Sequence, residues 1–347
     1  RRDVPVRLIE RGDDRIGSAK MIVVSMRTME ICRHMGIDGP VRDWGFPLDL
    51  PLDSVFCTTL TGHELGRVAS PSLRTEAVTP FSPERERPCP QTWFDPILQN
   101  FARGFACVAM DYNTALVDFA QYPGHVEARL VGPDGTPETV TADYLVGCDG
   151  FSSTVRARLG IELRGAKHLD RSMSIYVRSS DLWHGHDLGP AYRYVMVGPE
   201  GAWSVLTTID GKDLWRIQLV GAAPEDTASL DVGAILERMV GRKVDYVLED
   251  ISGWVRKMTI ADRFGDGRVF LAGDAAHAHP PNGGLGMNTG IQDSWDLGWK
   301  IAAMHHGWGG PHLLESYDWE RRPAASRAAG ESLQNYFRLT GTQDEPD

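Results

Sequence analysis

The stretch that decides the fold is Arg268-Val-Phe-Leu-Ala-Gly-Asp274-Ala-Ala-His277-Ala-His279-Pro-Pro281-Asn-Gly-Gly-Leu-Gly286-Met-Asn288. Its order predicts a buried strand, a Gly-Asp turn, a loop rich in Pro and Gly, and a helix from about Asn288. Such a strand delivers Asp274 to the end of a sheet, where open α/β folds bind ligands. The loop glycines let backbone approach a ligand closely, and the helix start offers free N–H groups and a positive dipole end. The stretch therefore predicts a site for a large polar cofactor.

A second motif lies upstream and reads Tyr144-Leu-Val-Gly-Cys148-Asp149-Gly150-Phe-Ser-Ser-Thr-Val-Arg156. In this order and at this spacing, the two motifs resemble those of the FAD-dependent aromatic hydroxylases, the p-hydroxybenzoate hydroxylase-like class A flavoprotein monooxygenases. The resemblance favours the branch that acts on phenols, hydroxyphenylpropionates and polyketides. It runs from Val4-Pro-Val-Arg-Leu-Ile-Glu10 to Tyr317-Asp-Trp-Glu-Arg-Arg-Pro323. It implies an α/β fold in which an antiparallel β-sheet substrate domain interrupts a Rossmann-like FAD-binding domain.

The expected domain division is discontinuous. Residues 1–45, 85–165 and 258–347 form the predicted FAD-binding domain, and residues 46–84 and 166–257 form the predicted substrate-binding sheet domain. Apolar residues recur at helical spacing in Ser25–His34 and Gln91–Arg103. Repeated alternating patterns across residues 171–222 are typical of strands.

The glycine loop of dinucleotide-binding folds, G-x-G-x-x-G, does not occur in this sequence. The run from Val4 to Ile9 predicts a buried parallel strand ending at Glu10. An acidic residue there binds a ribose hydroxyl about 20 residues after the glycine loop. We therefore expect the family's first strand, phosphate loop and most of its first helix to precede Arg1, and some relatives carry a further C-terminal domain. The alternative is a truncated chain that cannot hold FAD normally.

The resemblance also implies roles for individual residues. Asp274 is expected to accept a hydrogen bond from the ribityl chain or the neighbouring part of FAD, and Asp149 is linked to the pyrophosphate and the nicotinamide cofactor. Gln91 matches a glutamine that contacts the flavin. Lys20 stands where many relatives have arginine, so charge is kept but the bidentate fork is lost. The predicted cofactor-binding set is Glu10, Lys20, Arg27, Gln91, Asp149, Gly273, Asp274, Pro281, Gly283, Gly286, Met287 and Asn288.

Several of these residues have a simpler structural interpretation. Arg27 fits an exposed helix position, and Asp149 fits a helix N-cap. His277 and His279 lie near Asp274, but the flavin motif explains this run and no metal site is predicted. The sequence assigns no catalytic residue that deprotonates a phenol. Tyr192, Tyr194, His184 and Arg216 are the candidates in the second domain.

Composition narrows the function classes. The 347 residues carry a net charge of −11, which argues against bulk attraction to nucleic acid or to an anionic membrane. No apolar run approaches the roughly 18 residues that span a bilayer. The 5 cysteines are scattered and lack a C-x-x-C pair, so a reduced, cytoplasmic setting is predicted.

The resemblance implies a reaction. NADPH or NADH reduces FAD, O2 adds at the flavin C4a, and the hydroperoxyflavin transfers a hydroxyl group to a phenolic ring. The expected partners are a small phenolic compound and O2, with no nucleic acid and no membrane, and the resemblance allows a homodimer. Two alternatives stay open: another flavin-dependent oxidoreductase, such as a reductase or a halogenase, and a flavin-free degenerate binding protein.

Overall fold

The computed structural model describes residues 3–17, 20–77, 79–220 and 230–341. The helices are α1 Met26–Met35, α2 Asp38–Arg42, α3 Gln91–Arg103, α4 Thr154–Arg158, α5 Val232–Val240, α6 Leu285–His305 and α7 Glu315–Thr340. The strands are β1 Val6–Ile9, β2 Val23–Val24, β3 Ser54–Cys57, β4 Glu64–Val68, β5 Arg87–Pro88, β6 Val108–Asp111, β7 Ala115–Gln121, β8 Val126–Val131, β9 Pro137–Ala142, β10 Leu145–Gly147, β11 Leu163–Arg178, β12 Arg193–Gly198, β13 Gly201–Thr208, β14 Leu214–Leu219, β15 Val247–Ala261, β16 Gly265–Asp266, β17 Val269–Leu271 and β18 His277–Ala278. Short 3-10 turns cover Asp181–Trp183 and Gly273–Ala275.

The chain divides into two compact units. Unit 1 comprises Arg1–Gly17, Phe94–Lys167 and Lys257–Gln334, and unit 2 comprises Ser18–Trp93, His168–Arg256 and Asn335–Asp347. The sequence-based division places residues 18–45, 85–93 and 335–347 in the cofactor-binding domain, whereas compactness groups them with unit 2. Compactness does not reveal which unit holds which ligand, so the assignment of the two domains to cofactor and substrate stays a prediction.

Unit 1 contains parallel strand pairs, as a Rossmann-like domain requires. β1 runs parallel to β6, with Val6 opposite Val108. β10 runs parallel to β17, and β16 extends that sheet on the other side of β17. Strands β7, β8 and β9 form a separate antiparallel meander. The apolar core of unit 1 gathers β17, α4, α6 and α7 around Phe264, Phe270 and Tyr317. Because β17 is wholly buried, it holds the following Gly-Asp turn in a fixed place.

Strand β1 departs from its predicted burial. It is parallel as predicted, but Val6 is 47% exposed and Leu8 is 40% exposed. Within the described residues β1 has a strand neighbour on one side only, namely β6. An edge strand leaves its side chains less covered than an interior strand does, so among the described residues β1 is more exposed than the sequence predicts.

Unit 2 is built on an antiparallel sheet. Its strand order is β15-β11-β14-β13-β12-β3-β4; β12 and β3 run parallel, whereas β11 with β14, β14 with β13, β13 with β12 and β3 with β4 are antiparallel. One face carries an apolar core with helix α5, in which Tyr194, Leu206 and Ile217 lie side by side on neighbouring strands. A smaller apolar cluster includes Phe46, Tyr176 and Tyr192. The antiparallel sheet that the sequence predicted is therefore present, and the α/β fold class is confirmed.

The helices follow their sequence signals closely where capping residues are clear. Helix α1 begins after Ser25, whose side chain caps the Thr28 N–H, and ends at Gly36 in a left-handed conformation. Helix α6 begins at Leu285, earlier than the predicted Asn288, because Gly284 at φ 65° serves as its N-cap. No helix among the described residues combines the length and the apolar content needed to cross a membrane.

Candidate functional site

The predicted Gly-Asp turn lies at the end of the buried strand β17. Gly273 adopts φ 60°, a left-handed conformation that favours glycine. Its N–H donates to Asp293 Oδ2 of helix α6 over 3.2 Å. Asp274, the next residue, is exposed. The turn therefore places the Asp274 carboxylate at the end of β17, while the Gly273 N–H is hydrogen-bonded to helix α6.

Asp293 is the centre of a buried polar network that the sequence did not reveal. Its side chain is 0% exposed and also accepts from His277 Nε2 at 2.6 Å and from Arg321 Nε at 2.9 Å. The arginine and the two further donors offset the free-energy cost of burying this carboxylate. One feature of the sequence could have revealed this network. Asp293 lies between Thr289 and Leu297 on the buried face of α6, and a buried acidic residue is normally paired with donors. This network fixes the backbone beside Asp274.

The second motif is joined directly to the first. Asp149 Oδ2 accepts from the Val155 N–H in the first turn of α4 at 3.1 Å, but the N-cap of that helix is Ser153 and not Asp149. Arg156 donates to the carbonyl of Phe151 at 2.6 Å and to that of Ala275 at 2.8 Å. One guanidinium thus bridges the Asp149 loop and the Asp274 turn. Asp149 remains exposed, so its use at the helix start leaves the carboxyl group accessible.

The loop before α6 has the geometry of a backbone cradle. Gly283 and Gly284 adopt φ 103° and φ 65°. The Gly284 N–H donates to the Pro281 carbonyl at 3.0 Å, and Asn288 Nδ2 donates to the Gly284 carbonyl at 2.7 Å. These bonds hold the loop against the first turn of the helix. Met287 lies half-buried in the same turn.

The space around Gly286 indicates whether a bulky cofactor can approach this loop. The φ of Gly286 is not positive, and a Cβ built there would meet no atom of the described part of the chain within 4 Å. The fold itself therefore places no demand for glycine at this position. An absent side chain beside a helix N-terminus leaves room for a ligand to reach the N–H groups. The loop and helix start thus fit a flavin nucleotide approaching the backbone.

Glu10, the remaining predicted residue of unit 1, lies just after the end of β1. Its Oε1 accepts from the Gly12 N–H at 2.7 Å, and the residue is exposed. Unit 1 therefore contains Glu10, Asp149 and every predicted residue between Gly273 and Asn288.

The other three predicted residues belong to unit 2. The Lys20 N–H donates to Gln91 Oε1 at 3.3 Å, so two of them are in direct contact. Arg27 is 58% exposed and pairs with Glu30 at 2.5 Å, one helical turn along α1. That arrangement favours the simpler interpretation of Arg27 as a surface helix residue. The cofactor-binding roles of all three stay predictions.

The structure separates the four candidates for phenol activation. Tyr194 lies in the apolar core, and its hydroxyl donates to the Gly189 carbonyl at 2.6 Å, so this hydroxyl already has a hydrogen-bond partner within the protein. His184 is exposed on a turn. The Tyr192 hydroxyl is buried without a hydrogen-bond partner among the described residues. Burial raises the pKa of Tyr192 to about 12, so its hydroxyl stays protonated and can donate but does not act as a base.

Arg216 lies in a polar row across the sheet of unit 2. Register places it opposite Tyr176 on β11 and Thr207 on β13, and Thr207 lies opposite Arg193 on β12. Directly opposed residues share one face of a sheet. Arg216 also hydrogen-bonds Tyr176, which opposes the burial that raises the pKa of Tyr176. Arg193 and Tyr176 were not among the sequence candidates, because their row is visible only once the register is known.

His279 gives the site a pH dependence. Burial, with His277 beside it, lowers the pKa of His279 from 6.5 to about 3, and Asp293 opposes this only partly. Between pH 6.5 and about pH 3, His279 binds a proton in the unfolded chain but not in the folded chain. Stability is therefore lost as pH falls through this window, at about 1.4 kcal/mol per pH unit, or about 2 kcal/mol from pH 6.5 to 5.

Chemical denaturation of the FAD-free chain at several pH values measures this loss. The variant His279→Leu has no group to protonate, so we expect a smaller loss over the same interval. Identical pH profiles for the two proteins would refute a buried, neutral His279.

Comparison with known proteins decides the family. Residues 1–332 match the model of the family described as FAD binding domain. The chain belongs to this FAD-binding family. Its similarity to 2,4-dichlorophenol 6-monooxygenase of Cupriavidus pinatubonensis is 32% identity over 338 residues, covering 90% of this chain and 55% of that protein. With phenol 2-monooxygenase of a Pseudomonas species it shares 32% identity over 329 residues, covering 89% and 52%. The resemblance to the FAD-dependent aromatic hydroxylases is confirmed.

Solved structures of the family show the same fold. The crystal structure of aklavinone-11 hydroxylase in a ternary complex with FAD and aklavinone matches with a TM-score of 0.89 and 29% identity. The match covers 99% of this chain and 67% of that one. This FAD-binding chain spans about half the length of the curated relatives named above.

Proposed function

We propose that this chain is the FAD-binding and substrate-binding part of a monooxygenase that hydroxylates a phenolic aromatic compound. In the proposed reaction an aromatic C–H, O2, NAD(P)H and a proton give the corresponding C–OH, NAD(P)+ and water. The observation that carries the proposal is the Arg156 bridge between the Asp149 loop and the Asp274 turn. It holds the two motifs together in unit 1. The curated relatives named above are monooxygenases whose names specify phenols.

Unit 1 supplies the residues that would hold FAD. Asp274 offers a carboxylate to the hydroxyl groups of the cofactor, and Gly286 leaves the start of α6 open to it. The helix dipole at that point stabilises negative charge on a bound group. Bound FAD would supply the electron transfer from NAD(P)H and the activation of O2. The chain itself binds, orients and shields the reactants.

Unit 2 supplies groups suited to a phenol. Arg216 and Tyr192 are the sequence candidates that this structure leaves with a buried, unpaired polar atom: Nε of Arg216 and the hydroxyl of Tyr192. A guanidinium and a protonated hydroxyl both stabilise a phenolate oxygen by donating hydrogen bonds. Negative charge on that oxygen activates the ring for hydroxylation. These two residues are the proposed orienting groups for the substrate.

The finer parts of the proposal rest on the sequence alone. They are the use of NADPH or NADH, a homodimeric assembly and a cytoplasmic setting. All five cysteines are free, and Cys32, Cys57 and Cys89 are buried, which is compatible with a reducing environment.

Substrate-dependent oxidation of NAD(P)H tests the proposed function. With the full-length protein and FAD, we expect the rate of NAD(P)H oxidation to rise several-fold when the right phenol is added, with a hydroxylated product that carries one oxygen atom from O2. A panel of phenols and hydroxylated polycyclic compounds, assayed with 18O2, provides the measurement.

The alternatives give different results in the same assay. NAD(P)H oxidation without oxygen incorporation into any aromatic would indicate another flavin oxidoreductase. A protein that neither contains flavin nor takes up added FAD would indicate a flavin-free binding protein. Either result contradicts the proposal.

A further inference from the structure

Several buried polar atoms without a hydrogen-bond partner among the described residues lie in, and just before, the loop that leads into α6. Both ring nitrogens of His279 are buried and make no hydrogen bond to any described residue. Asn282 Oδ1, three residues later, is in the same situation. Buried polar groups in folded proteins are normally paired, so such a concentration needs an explanation.

The neighbouring histidine cannot supply the missing partner. The rings of His277 and His279 stack with centroids 4.8 Å apart, and Phe264 makes a tilted contact with His277, with centroids 5.8 Å apart. His277 directs its Nε2 to Asp293, at 2.6 Å. Its Nδ1 has no hydrogen-bond partner among the described residues. Phe264 and His277 are fully buried, whereas His279 is half-buried. His279 is therefore the outermost of the three rings, next to Pro280 and the glycine loop.

The chemistry of the ring restricts the missing partner. Because burial lowers the pKa of His279 to about 3, the ring is neutral at pH 7. A neutral imidazole has one N–H donor and one acceptor nitrogen. It suits a hydroxyl, amide or imide group, and it does not act as a counter-ion for a phosphate.

We propose that His279 is a contact residue for bound FAD, and that one of its ring nitrogens hydrogen-bonds a neutral polar group of the cofactor. This inference rests on the proposed binding of FAD and adds a specific residue to it. The residue stands next to the Pro280–Gly284 loop and the open start of α6, where Gly286 leaves room for a ligand. Both ring nitrogens of His279 lack a hydrogen-bond partner among the described residues.

The contact requires a small local adjustment. The ring nitrogens are covered in the structure, so the ring or the following loop must turn to expose one of them. Gly283 at φ 103° and Gly284 at φ 65° give the loop backbone freedom that other residues lack. Binding of FAD then relieves an unfavourable feature of the free chain, because an unpaired buried nitrogen gains its partner.

The variant His279→Leu separates a cofactor contact from a structural role, because the two predict opposite signs. In the FAD-free full-length chain, we expect the midpoint of unfolding to stay the same or rise, since two unpaired polar atoms are removed. The dissociation constant of FAD, measured by flavin fluorescence, should rise about tenfold. His279→Asn, which keeps a donor and an acceptor, should retain most of the affinity.

Three results would overturn the proposal. One is a His279→Leu variant that binds FAD as tightly as the wild type, and this result leaves the proposed FAD enzyme intact. A second is loss of both folding stability and FAD binding in the Leu and Asn variants alike, which indicates a structural role. A wild-type protein that binds no FAD overturns both this inference and the proposed function.

A measurement on the wild-type chain covers the case in which the variants fail to fold. With 15N-labelled histidine, we expect one His279 ring nitrogen to shift its resonance when FAD is added. Unchanged resonances at saturating FAD would contradict the contact.

Discussion

Replacing Asp293 with asparagine is expected to lower the free energy of unfolding by about 3–5 kcal/mol, the usual cost of removing one partner from a buried ion pair. Asparagine has the same shape but no charge. It would leave the Arg321 guanidinium, which is only 12% exposed, without its carboxylate. Its amide group would also present N–H donors where the Gly273 N–H and His277 already donate. Urea denaturation of the full-length chain measures the difference.

The surface pair of Asp49 and Arg74 provides the matched control. Those side chains are 72% and 60% exposed, and Asp49→Asn also exchanges a paired carboxylate for an amide. Because exposed pairs are screened by solvent, we expect no measurable change in unfolding. If Asp293→Asn were as mild as this control, Asp293 would not be a buried anchor of the Asp274 turn.

The same network shows where the sequence was sufficient and where it was not. The buried strand, the Gly-Asp turn and the glycine loop were predicted because each depends on residues adjacent in the chain. Arg321 and Asp293 are 28 positions apart, and Arg156 and Ala275 are 119 apart. Local periodicity does not specify such pairings. They arise only when tertiary packing brings α7 to α6 and the Asp149 loop to the Asp274 turn.

Differences of detail have equally physical causes. Helix α6 begins before its predicted start because a left-handed glycine, rather than Ser, Thr or Asp, occupies the N-cap. Asp296 and Lys300, which are spaced i,i+4 on α6, pair at 2.7 Å, yet Lys300 is 1% exposed and also reaches Glu320. A lysine with two acidic partners can be buried. In unit 2, the alignment of Arg193 with Arg216 depends on strand register, which a single sequence does not give.

Replacing Gly286 with alanine is expected to weaken FAD binding while leaving the free chain as stable as before, or more so. Alanine in a helix is favoured over glycine by roughly 0.5–1 kcal/mol. The added methyl group meets no atom of the described residues within 4 Å, so no described neighbour opposes that gain. A cofactor seated on the start of α6 would meet the methyl group instead. Overpacking of this kind costs about 1–3 kcal/mol, which corresponds to a dissociation constant raised roughly 5- to 150-fold.

Flavin fluorescence titration and chemical denaturation of the same variant measure the two effects. Gly330→Ala on helix α7 is the control, since a Cβ there also meets no atom within 4 Å and the residue lies outside the predicted site. It should show the gain in stability with unchanged FAD affinity. Opposite changes in stability and affinity at Gly286 alone would indicate that its missing side chain serves the ligand rather than the fold. Equal FAD affinity in both variants would place the cofactor away from the start of α6, and the role proposed for that helix would then be wrong.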